Sequence, residues 1–340
     1  MNATMSLENA IHQPVMLNQI LSIISPQHGG TFIDCTFGGG GYSQAILKYP
    51  NTKVIAIDRD SSTEKYANTL KEKFPERFSF FQNKFSNLSK IIKAESNPKA
   101  IIFDLGLSSF QLADDKRGFS FNSGSNKSFL SMQMGINKYS AYDVVNKFDK
   151  TSLANIIKIL GEEKDGRRIA NKIVKCRTAN EIKTPEELVS IIKSVKKNHK
   201  KYKKHPATKT FQALRIFVNM ELTELLTGLI EAAKLLSKNG ILIVVSFHSL
   251  EDRIVKYFFN LYSNLKNNPS RYMPAENNKS ILFKLITKKA SIPDIAEVKK
   301  NIRSRSAKLR YAIRNESLFF YPEELEKKFL NYFNLESLKI

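Results

Sequence analysis

Short apolar runs recur along the first hundred residues, and each is followed by polar residues or by a helical pattern. The runs are residues 31–35, 53–57, 77–81 and 99–103, while residues 64–74 carry apolar side chains at helical spacing. Strands that are apolar on both faces and alternate with helices are typical of a parallel sheet covered on both sides. The pattern therefore predicts an α/β domain.

This alternation stops near residue 112. Between residues 113 and 205 we find no convincing strand pattern, and the apolar spacing is helical instead. The helices predicted in this part are residues 142–159, 168–176 and 185–195. We therefore predict a helical insertion, residues 112–205, within an α/β core formed by residues 1–111 and 206–315.

The sheet pattern resumes after the insertion. Residues 210–236 repeat apolar side chains with a period near 3.6, which predicts one long helix, and residues 241–245 are the next buried strand. The shorter predicted elements are helices at 91–95 and 249–262, strands at 281–287 and 307–313, and loops at 264–280 and 288–306. Residues 316–340 have a mixed amphipathic pattern that predicts a helical tail.

A run of four glycines follows the first predicted strand and precedes a helix start. A strand, a glycine turn and a helix start let backbone N–H groups approach a ligand without a Cβ in the way, although a glycine-rich surface loop is the simpler alternative. Asp58 ends the second strand 20 residues after Gly38 (58 − 38). An acid at that distance holds the ribose hydroxyls in nucleotide-binding sheets, which favours a nucleotide site.

The dinucleotide pattern G-x-G-x-x-G fits this turn only in part, because Ser43 stands where the third glycine belongs. Asp34 lies in the first strand just before the turn. An acid, the glycines and a distal acid resemble the first two motifs of S-adenosylmethionine (SAM) methyltransferases. An NAD(P) dehydrogenase is the alternative at this point.

The charge balance of the chain is strongly basic. It has 54 Lys and Arg against 32 Asp and Glu, a net charge of +22. So many positive charges repel one another unless a polyanion binds them, so nucleic acid is the first partner to consider. The alternative is a compositional excess of lysine without function. The densest basic segment, residues 194–205, fits either a solvated lysine loop or a patch that follows phosphates. Its place at the end of the insertion modestly favours RNA contact.

Other signals exclude several classes of protein. Cys35 and Cys176 give neither a disulfide framework nor a zinc spacing, and His12, His205 and His248 lack the spacing of a metal site. No apolar run reaches the ~18 residues of a membrane span. We therefore expect a cytoplasmic protein without a metal.

Six further strings identify a family when they are taken together. They are residues 12–17, 103–112, 117–121, 205–215, 246–253 and 303–310. In this order they closely resemble the bacterial 16S ribosomal RNA (cytosine-N4) methyltransferases, the MraW family. The resemblance implies a Rossmann-like class I SAM methyltransferase sheet, interrupted by a helical insertion that recognises RNA. It also implies methylation of a cytosine in the decoding region of 16S rRNA, with naked rRNA and the assembled small ribosomal subunit both left open as substrates.

The matching motifs imply roles for individual residues. The SAM-binding candidates are Gly40, Gly41, Tyr42, Asp58, Phe85, Asp104 and Gln111. The candidates for substrate contact are His205, Ser246, His248 and Arg305. For the histidines a structural role is the first alternative, and Arg305 either holds a phosphate or caps the edge of the sheet. Whether the chain forms a homodimer is left open.

Residue chemistry supports methylation of an exocyclic amine. An acceptor such as the Asp104 carboxylate or the Ser108 hydroxyl can hydrogen-bond the amine and take up developing positive charge. The alternatives are that Asp104 only contacts SAM and that Ser108 only shapes a turn. Attack through C5 of cytosine would need a cysteine nucleophile, and neither cysteine is placed for that role.

Some positions depart from the family pattern. Tyr42 stands where the family usually has His, and Phe110 where it usually has Pro. Ser131 and Gln133 stand where it has an acid and an arginine. These departures keep open a catalytically silent RNA-binding or assembly protein, and the resemblance leaves open a DNA substrate.

Overall fold

The computed structural model describes residues 14–120, 128–135, 137–196, 205–263 and 281–340. Its seven strands form one sheet in the order β3-β2-β1-β4-β5-β7-β6. They are β1 Gly30–Asp34, β2 Thr52–Asp58, β3 Phe78–Gln82, β4 Ala100–Asp104, β5 Ile241–Ser246, β6 Phe283–Leu285 and β7 Lys308–Arg314. The first five pair in parallel, and β7 runs antiparallel to both β5 and β6. The predicted α/β fold class is confirmed.

Fourteen α-helices lie in the described residues. They are α1 Leu17–Ile24, α2 Gly41–Leu47, α3 Glu64–Lys73, α4 Leu88–Ile91, α5 Ser109–Ala113, α6 Ala141–Lys147, α7 Lys150–Asn155, α8 Gly166–Arg177, α9 Pro185–Val195, α10 Thr208–Asn219, α11 Glu221–Leu235, α12 Ser249–Tyr262, α13 Ile295–Lys300 and α14 Glu323–Glu336. A π-helical turn, Ile156–Leu160, follows α7. None of the described helices is long and apolar enough to cross a membrane.

The chain divides into two compact units. The first unit is Met1–Gly106 with Glu224–Lys327, and the second unit is Leu107–Thr223 with Lys328–Ile340. The first contains the sheet, whose central strands have almost no exposed side chains, as at Phe32, Ile102 and Val245. Parallel strands buried on both faces explain why the sequence pattern there is continuously apolar.

The limits of these units differ from the predicted insertion limits, residues 112 and 205. The second unit includes α10, because this helix packs on α6 and on the π-helical turn. It also includes the end of the predicted tail. None of its described residues forms a strand, as the sequence indicated for residues 113–205.

Four element predictions were wrong. The predicted helix 142–159 is α6 and α7, separated by the extended backbone of Phe148 and Asp149, followed by the π-helical turn. The predicted long helix 210–236 is two helices, because Met220 adopts a left-handed backbone with φ 51° between α10 and α11. The predicted loop 288–306 contains α13 and a 3₁₀ helix, Ile302–Ser306. The predicted helix at 91–95 is instead α4, which ends at Ile91, followed by a 3₁₀ turn, Ala94–Ser96. Short polar segments carry too little apolar periodicity to place such turns.

Several predictions fall outside the described residues. The loop at 264–280 and most of the lysine-rich segment lie there, as do His12 and Phe121 of the family strings. Lys196, at the start of the lysine-rich segment, is described and is buried at 5% exposure. It pairs with Glu163 and donates to the Pro206 carbonyl oxygen at 2.8 Å. Burial therefore removes the Lys196 side chain from the predicted RNA-contact patch, and the prediction stays open for the rest of the segment.

The predicted helical tail contains α14. The last residue of α14, Glu336, caps the N-terminus of α11. The buried Glu336 carboxylate accepts hydrogen bonds from the backbone N–H groups of Leu222 and Thr223 at 3.0 and 2.8 Å, and from the Thr223 hydroxyl. These N–H groups have no partner within a helix. Burial raises the pKa of Glu336 to about 7. We infer that the tail stabilises the second unit through this contact.

Glu336→Ala is therefore expected to lower the free energy of unfolding by about 1–3 kcal/mol, since it leaves buried donors without an acceptor. Urea titration measures the change. Glu323→Ala on the exposed start of α14 is the matched control. Because the folded pKa is raised, the stabilisation by Glu336 should be full below its ordinary pKa and decrease as the pH rises through about 7. Equal losses in the two variants would contradict the prediction.

Candidate active site

The glycine turn joins β1 to α2 at the carboxyl edge of the sheet. Gly38 and Gly40 have φ values of 53° and 76°, which favour glycine. A Cβ on Gly40 would lie 2.8 Å from the Phe37 ring, and one on Gly41 would lie 2.3 Å from Cγ of Pro14. The turn therefore has room only for bare backbone, as the sequence predicted.

Asp58 connects this turn to the end of β2 by hydrogen bonds. Its Oδ2 accepts a hydrogen bond from the Gly38 N–H at 2.8 Å, and its Oδ1 accepts one from the Asp60 N–H at 2.9 Å. Burial raises the pKa of Asp58 to about 6, although these hydrogen bonds oppose the shift. The structure thus brings the acid and the glycines together across the predicted 20 residues.

Asp34 lies at the end of β1 and is fully buried. Its Oδ2 accepts from the Ser43 hydroxyl at 2.7 Å, which ties the strand to α2. Burial raises its pKa to about 6, and the hydrogen bond from Ser43 partly offsets the effect. Ser43 is the residue that breaks the dinucleotide pattern, and this bond gives its side chain a structural role.

Asp104 ends β4, next to β1 in the sheet. Its backbone N–H donates to the Thr36 hydroxyl at 2.7 Å. Its buried Oδ1 atom has no hydrogen-bond partner among the residues that the structure describes. Burial, and then the charge of Asp34, raise the pKa of Asp104 to about 8, whereas the neighbouring Tyr42 hydroxyl opposes the rise. A buried carboxyl oxygen without a partner is costly, which indicates a site that a ligand completes.

Two glutamates add negative charge at the same place. Glu251 on α12 and Glu297 on α13 both raise the pKa of Asp104 through their charge. Glu251 is buried and accepts hydrogen bonds from the N–H groups of Phe247 and His248 at 2.8 and 3.2 Å. A buried carboxyl group whose pKa is raised by neighbouring negative charges favours a cation as the ligand.

Sequence analysis did not find either glutamate as a site residue. Glu251 stands three residues after His248, in a capping-box spacing that was visible in the sequence. Glu297 lies in the segment that was predicted as a loop, and no local signal connects it with the start of the chain. Only the fold brings it to Asp104.

Phe85 begins a 3₁₀ turn after β3. Its ring meets Phe103 edge to face with centroids 5.2 Å apart. On another side the Phe85 ring lies against Gly228 of α11, where a Cβ would be 2.4 Å from the ring. Gly228 therefore allows the ring to take this position in the first unit.

The substrate candidates of the first unit have different environments. Ser246 is buried, and its hydroxyl donates to the Lys308 carbonyl oxygen at 3.4 Å. His248 caps α12: its Nδ1 accepts from the Glu251 N–H, and its Nε2 lies 3.1 Å from a Glu251 carboxylate oxygen. These two contacts are structural. Arg305 is exposed on the 3₁₀ helix before β7.

Three predicted site residues belong to the second unit. Ser108 and Gln111 form a capping box at the start of α5: the Ser108 hydroxyl accepts from the Gln111 N–H, and Gln111 Oε1 accepts from the Ser108 N–H. His205 Nδ1 accepts from the Ala207 N–H at 3.4 Å before α10. The capping box fits the alternative in which Ser108 shapes a turn.

Ser131 and Gln133, which depart from the family pattern, lie in the second unit and contact each other. The Ser131 hydroxyl donates to Gln133 Oε1 at 3.2 Å, and Gln133 Nε2 donates to the Tyr139 carbonyl oxygen at 3.3 Å. Asn219 holds the same segment through the Met134 N–H and the Met132 carbonyl oxygen. The segment is thus built from neutral hydrogen bonds.

The parallel sheet with its antiparallel β7, the glycine turn and the strand-end acids define a Rossmann-like methyltransferase domain. The MraW methylase family matches residues 9–315. The chain belongs to this family.

The chain is also similar to several named relatives and to solved structures. The "Ribosomal RNA small subunit methyltransferase H" of Ehrlichia ruminantium (strain Gardel) is 43% identical over 305 residues, which cover 89% of this chain and 99% of the relative. The protein of the same name from Wolbachia sp. subsp. Drosophila simulans is 45% identical and covers 88% and 97%. The solved structure of an rRNA methylase from Streptococcus thermophilus aligns with a TM-score of 0.40 at 9% identity, covering 90% and 98%.

Proposed function

We propose that this protein transfers a methyl group from SAM to the N4 amine of a cytosine in the decoding region of 16S rRNA, in the cytoplasm. Its family and the names of its relatives support an rRNA substrate. The observation that carries the proposal is Asp104: a buried carboxyl oxygen without a described partner, on the strand next to the glycine turn.

The residues at the strand ends fit this donor. SAM supplies a methyl group on a positively charged sulfonium. Burial raises the pKa values of Asp34, Asp58 and Asp104, and the charge of Asp34 adds to the rise at the other two. A bound cation would favour their ionised forms. Asp58 stands at the end of β2, where ribose hydroxyls are held in such sheets, and Phe85 offers a ring beside Phe103 for the adenine.

Asp104 is also suited to the amine. A cytosine amine is a weak nucleophile, and a carboxylate that accepts its hydrogen bond orients the nitrogen and receives positive charge. At neutral pH a carboxyl group with a pKa of about 8 exchanges its proton readily. The base has to be unstacked to reach such a group. The predicted roles of Ser108, Gln111 and His205 in the second unit, and of Ser246, His248 and Arg305, remain part of this proposal.

Asp58→Ala is expected to weaken SAM binding at least tenfold, since hydrogen bonds to charged groups contribute about 1.5–3 kcal/mol. It also removes the acceptor of the Gly38 N–H. Isothermal titration calorimetry measures the affinity. Glu76→Gln, which neutralises an exposed acid before β3, is the control. An Asp58→Ala variant with the affinity of this control would count against the ribose role.

The decisive test of function is methyl transfer from labelled SAM to small ribosomal subunits, to naked 16S rRNA and to DNA, with nucleoside mass spectrometry of the products. We expect N4-methylated cytidine in ribosomal RNA. SAM binding without transfer to any substrate would instead support the silent assembly protein that the Ser131 and Gln133 departures suggest. Transfer to DNA alone would assign a DNA substrate.

A further inference from the structure

We propose that residues Pro14, Val15 and Met16, which we name the N-terminal strap, close the donor site, and that Glu297 and Tyr42 are the positioning residues that hold it on the glycine turn. The proposal rests on the proposed function, because it assumes that SAM binds at this turn. It adds a role for two side chains that lie 255 positions apart (297 − 42).

The strap is attached to the first unit at three consecutive residues. The Pro14 ring packs on Gly41, so closely that a Cβ there would lie 2.3 Å from Cγ of the proline. The Val15 carbonyl oxygen accepts a hydrogen bond from the Tyr42 hydroxyl. The Met16 N–H donates to Glu297 Oε1 at 2.6 Å. The strap therefore lies directly on the first two residues of α2.

Burial makes these attachments important. Val15 and Met16 are 3% and 1% exposed. Met16 has a left-handed backbone, φ 55°, and its N–H precedes α1, where no helical carbonyl is available. A buried N–H without an acceptor costs about 1–3 kcal/mol. The Glu297 carboxylate thus supplies the acceptor that lets the chain enter α1 in this conformation.

Tyr42 joins the strap to Asp104. Burial, and then the charges of Asp104 and Asp34, raise the pKa of the Tyr42 phenol well above its ordinary value. The hydroxyl therefore remains a hydrogen-bond donor at every working pH, and it donates to Val15. No described residue donates a hydrogen bond to Asp104 Oδ1, which leaves this oxygen for a ligand.

Because the strap lies on the turn, we expect it to slow the release of the donor. Loosening it should raise the KM for SAM and the donor dissociation rate, while kcat at saturating donor changes little because the strap does not contact the reacting amine. The same residues tune Asp104. Tyr42 lowers its pKa, whereas Asp34, Glu251 and Glu297 raise it through their charges. Variants at 42 and 297 should therefore shift the pH dependence of donor binding in opposite directions.

The experiment compares Glu297→Ala, Glu297→Gln and Tyr42→Phe in the full chain, with Glu72→Gln and Tyr66→Phe on α3 as matched controls. For Glu297→Ala we expect an approximately tenfold higher KM for SAM and less than a twofold change in kcat. Glu297→Gln should stay within about threefold of the wild-type KM, because the amide oxygen still accepts from Met16.

The pH profile of SAM affinity separates positioning from general stability. Its midpoint should move down in both Glu297 variants, which lose the charge, and up in Tyr42→Phe, which loses the hydroxyl. Hydrogen exchange at the Met16 amide should be faster in Glu297→Ala than in Glu297→Gln. A structural role alone would change the melting temperature without moving these midpoints.

The proposal is overturned if Glu297→Ala and Tyr42→Phe bind SAM with the KM and pH midpoint of their controls. It is also overturned if kcat and KM worsen in proportion to lost stability. A wild-type protein that binds no SAM at all would refute the proposed function instead, while faster exchange at Met16 in Glu297→Ala would still show that the strap is held by Glu297.

Discussion

Asp104→Asn is expected to lower the methyl-transfer rate by about 10²–10³-fold, the range typical for removal of one preorganised electrostatic group. Asparagine keeps the size and the acceptor oxygen of Asp104, but it cannot carry the negative charge that a cationic donor and a developing ammonium both favour. Single-turnover transfer with bound RNA measures the effect on chemistry. Glu76→Gln is the control for loss of one acidic charge.

The pH dependence of donor binding tests the same group. With a pKa of about 8, Asp104 is protonated at neutral pH in the donor-free protein, and a cation favours its ionised form. SAM affinity should therefore increase as the pH rises towards about 8, and binding at pH 7 should release a proton. Calorimetry in buffers of different ionisation enthalpy measures this release.

The proton release measured for Asp104→Asn has to be consistent with the pH dependence of SAM binding in the wild type. In Asp104→Asn the proton release that Asp104 causes near pH 7 should be lost. The remaining release should come from Asp34 and Asp58 and lie nearer their pKa values of about 6. In the donor-free wild type, the unfolded chain loses the Asp104 proton near 3.8, so the free energy of unfolding should decrease as the pH rises from about 4 to about 8. An unchanged transfer rate in Asp104→Asn would remove Asp104 from the chemistry.

Lys196→Met is expected to give the largest loss of stability, about 3–5 kcal/mol, because it leaves a buried carboxylate without its partner. The side chains of Lys196 and Glu163 are 3% and 5% exposed. The Glu163 carboxylate also accepts from the Asp165 N–H at 3.1 Å, and Lys196 donates to the Pro206 carbonyl oxygen. The pair thus connects the ends of three segments within the second unit.

Denaturant unfolding of three variants and the wild type resolves this prediction. Lys193→Met, at an exposed position of α9, controls for the loss of one lysine. The double variant Lys196→Met with Glu163→Gln should recover part of the loss, since no unpaired charge is then buried. Were Lys196→Met as stable as Lys193→Met, the ion pair would have no structural role and the RNA-contact interpretation of Lys196 would return.

The sequence predicted well wherever a segment is set by its own periodicity. Helices α9 and α12 begin and end at the predicted residues, and the strand runs differ from β1, β2 and β4 by one residue at most at each end. These elements have strong apolar spacing and clear caps, as at Thr184 with Pro185. The break at Met220 escaped prediction, because the apolar period continues through it.

Among the candidate site residues, the glycine turn and Asp58 could be predicted because strand, turn and distal acid have a fixed spacing along the chain. Glu297 was not predicted as a candidate site residue, because its hydrogen-bond partner Met16 is 281 positions away in the sequence. For Lys196 the sequence predicted a role that the structure does not support. Its lysine-rich neighbours indicated a solvated or RNA-binding loop, yet its own side chain folds back onto Glu163.

By itself the sequence determined the α/β class of the core, the position of the glycine turn and the family of the chain, because these depend on local periodicity and on residues at short, fixed separations. The tertiary structure alone decided which acids gather at Asp104, how Glu297 and Tyr42 hold the N-terminal strap, and where the second unit begins. Those features depend on contacts between segments far apart in sequence, and burial rather than residue type sets their pKa values and their hydrogen bonds.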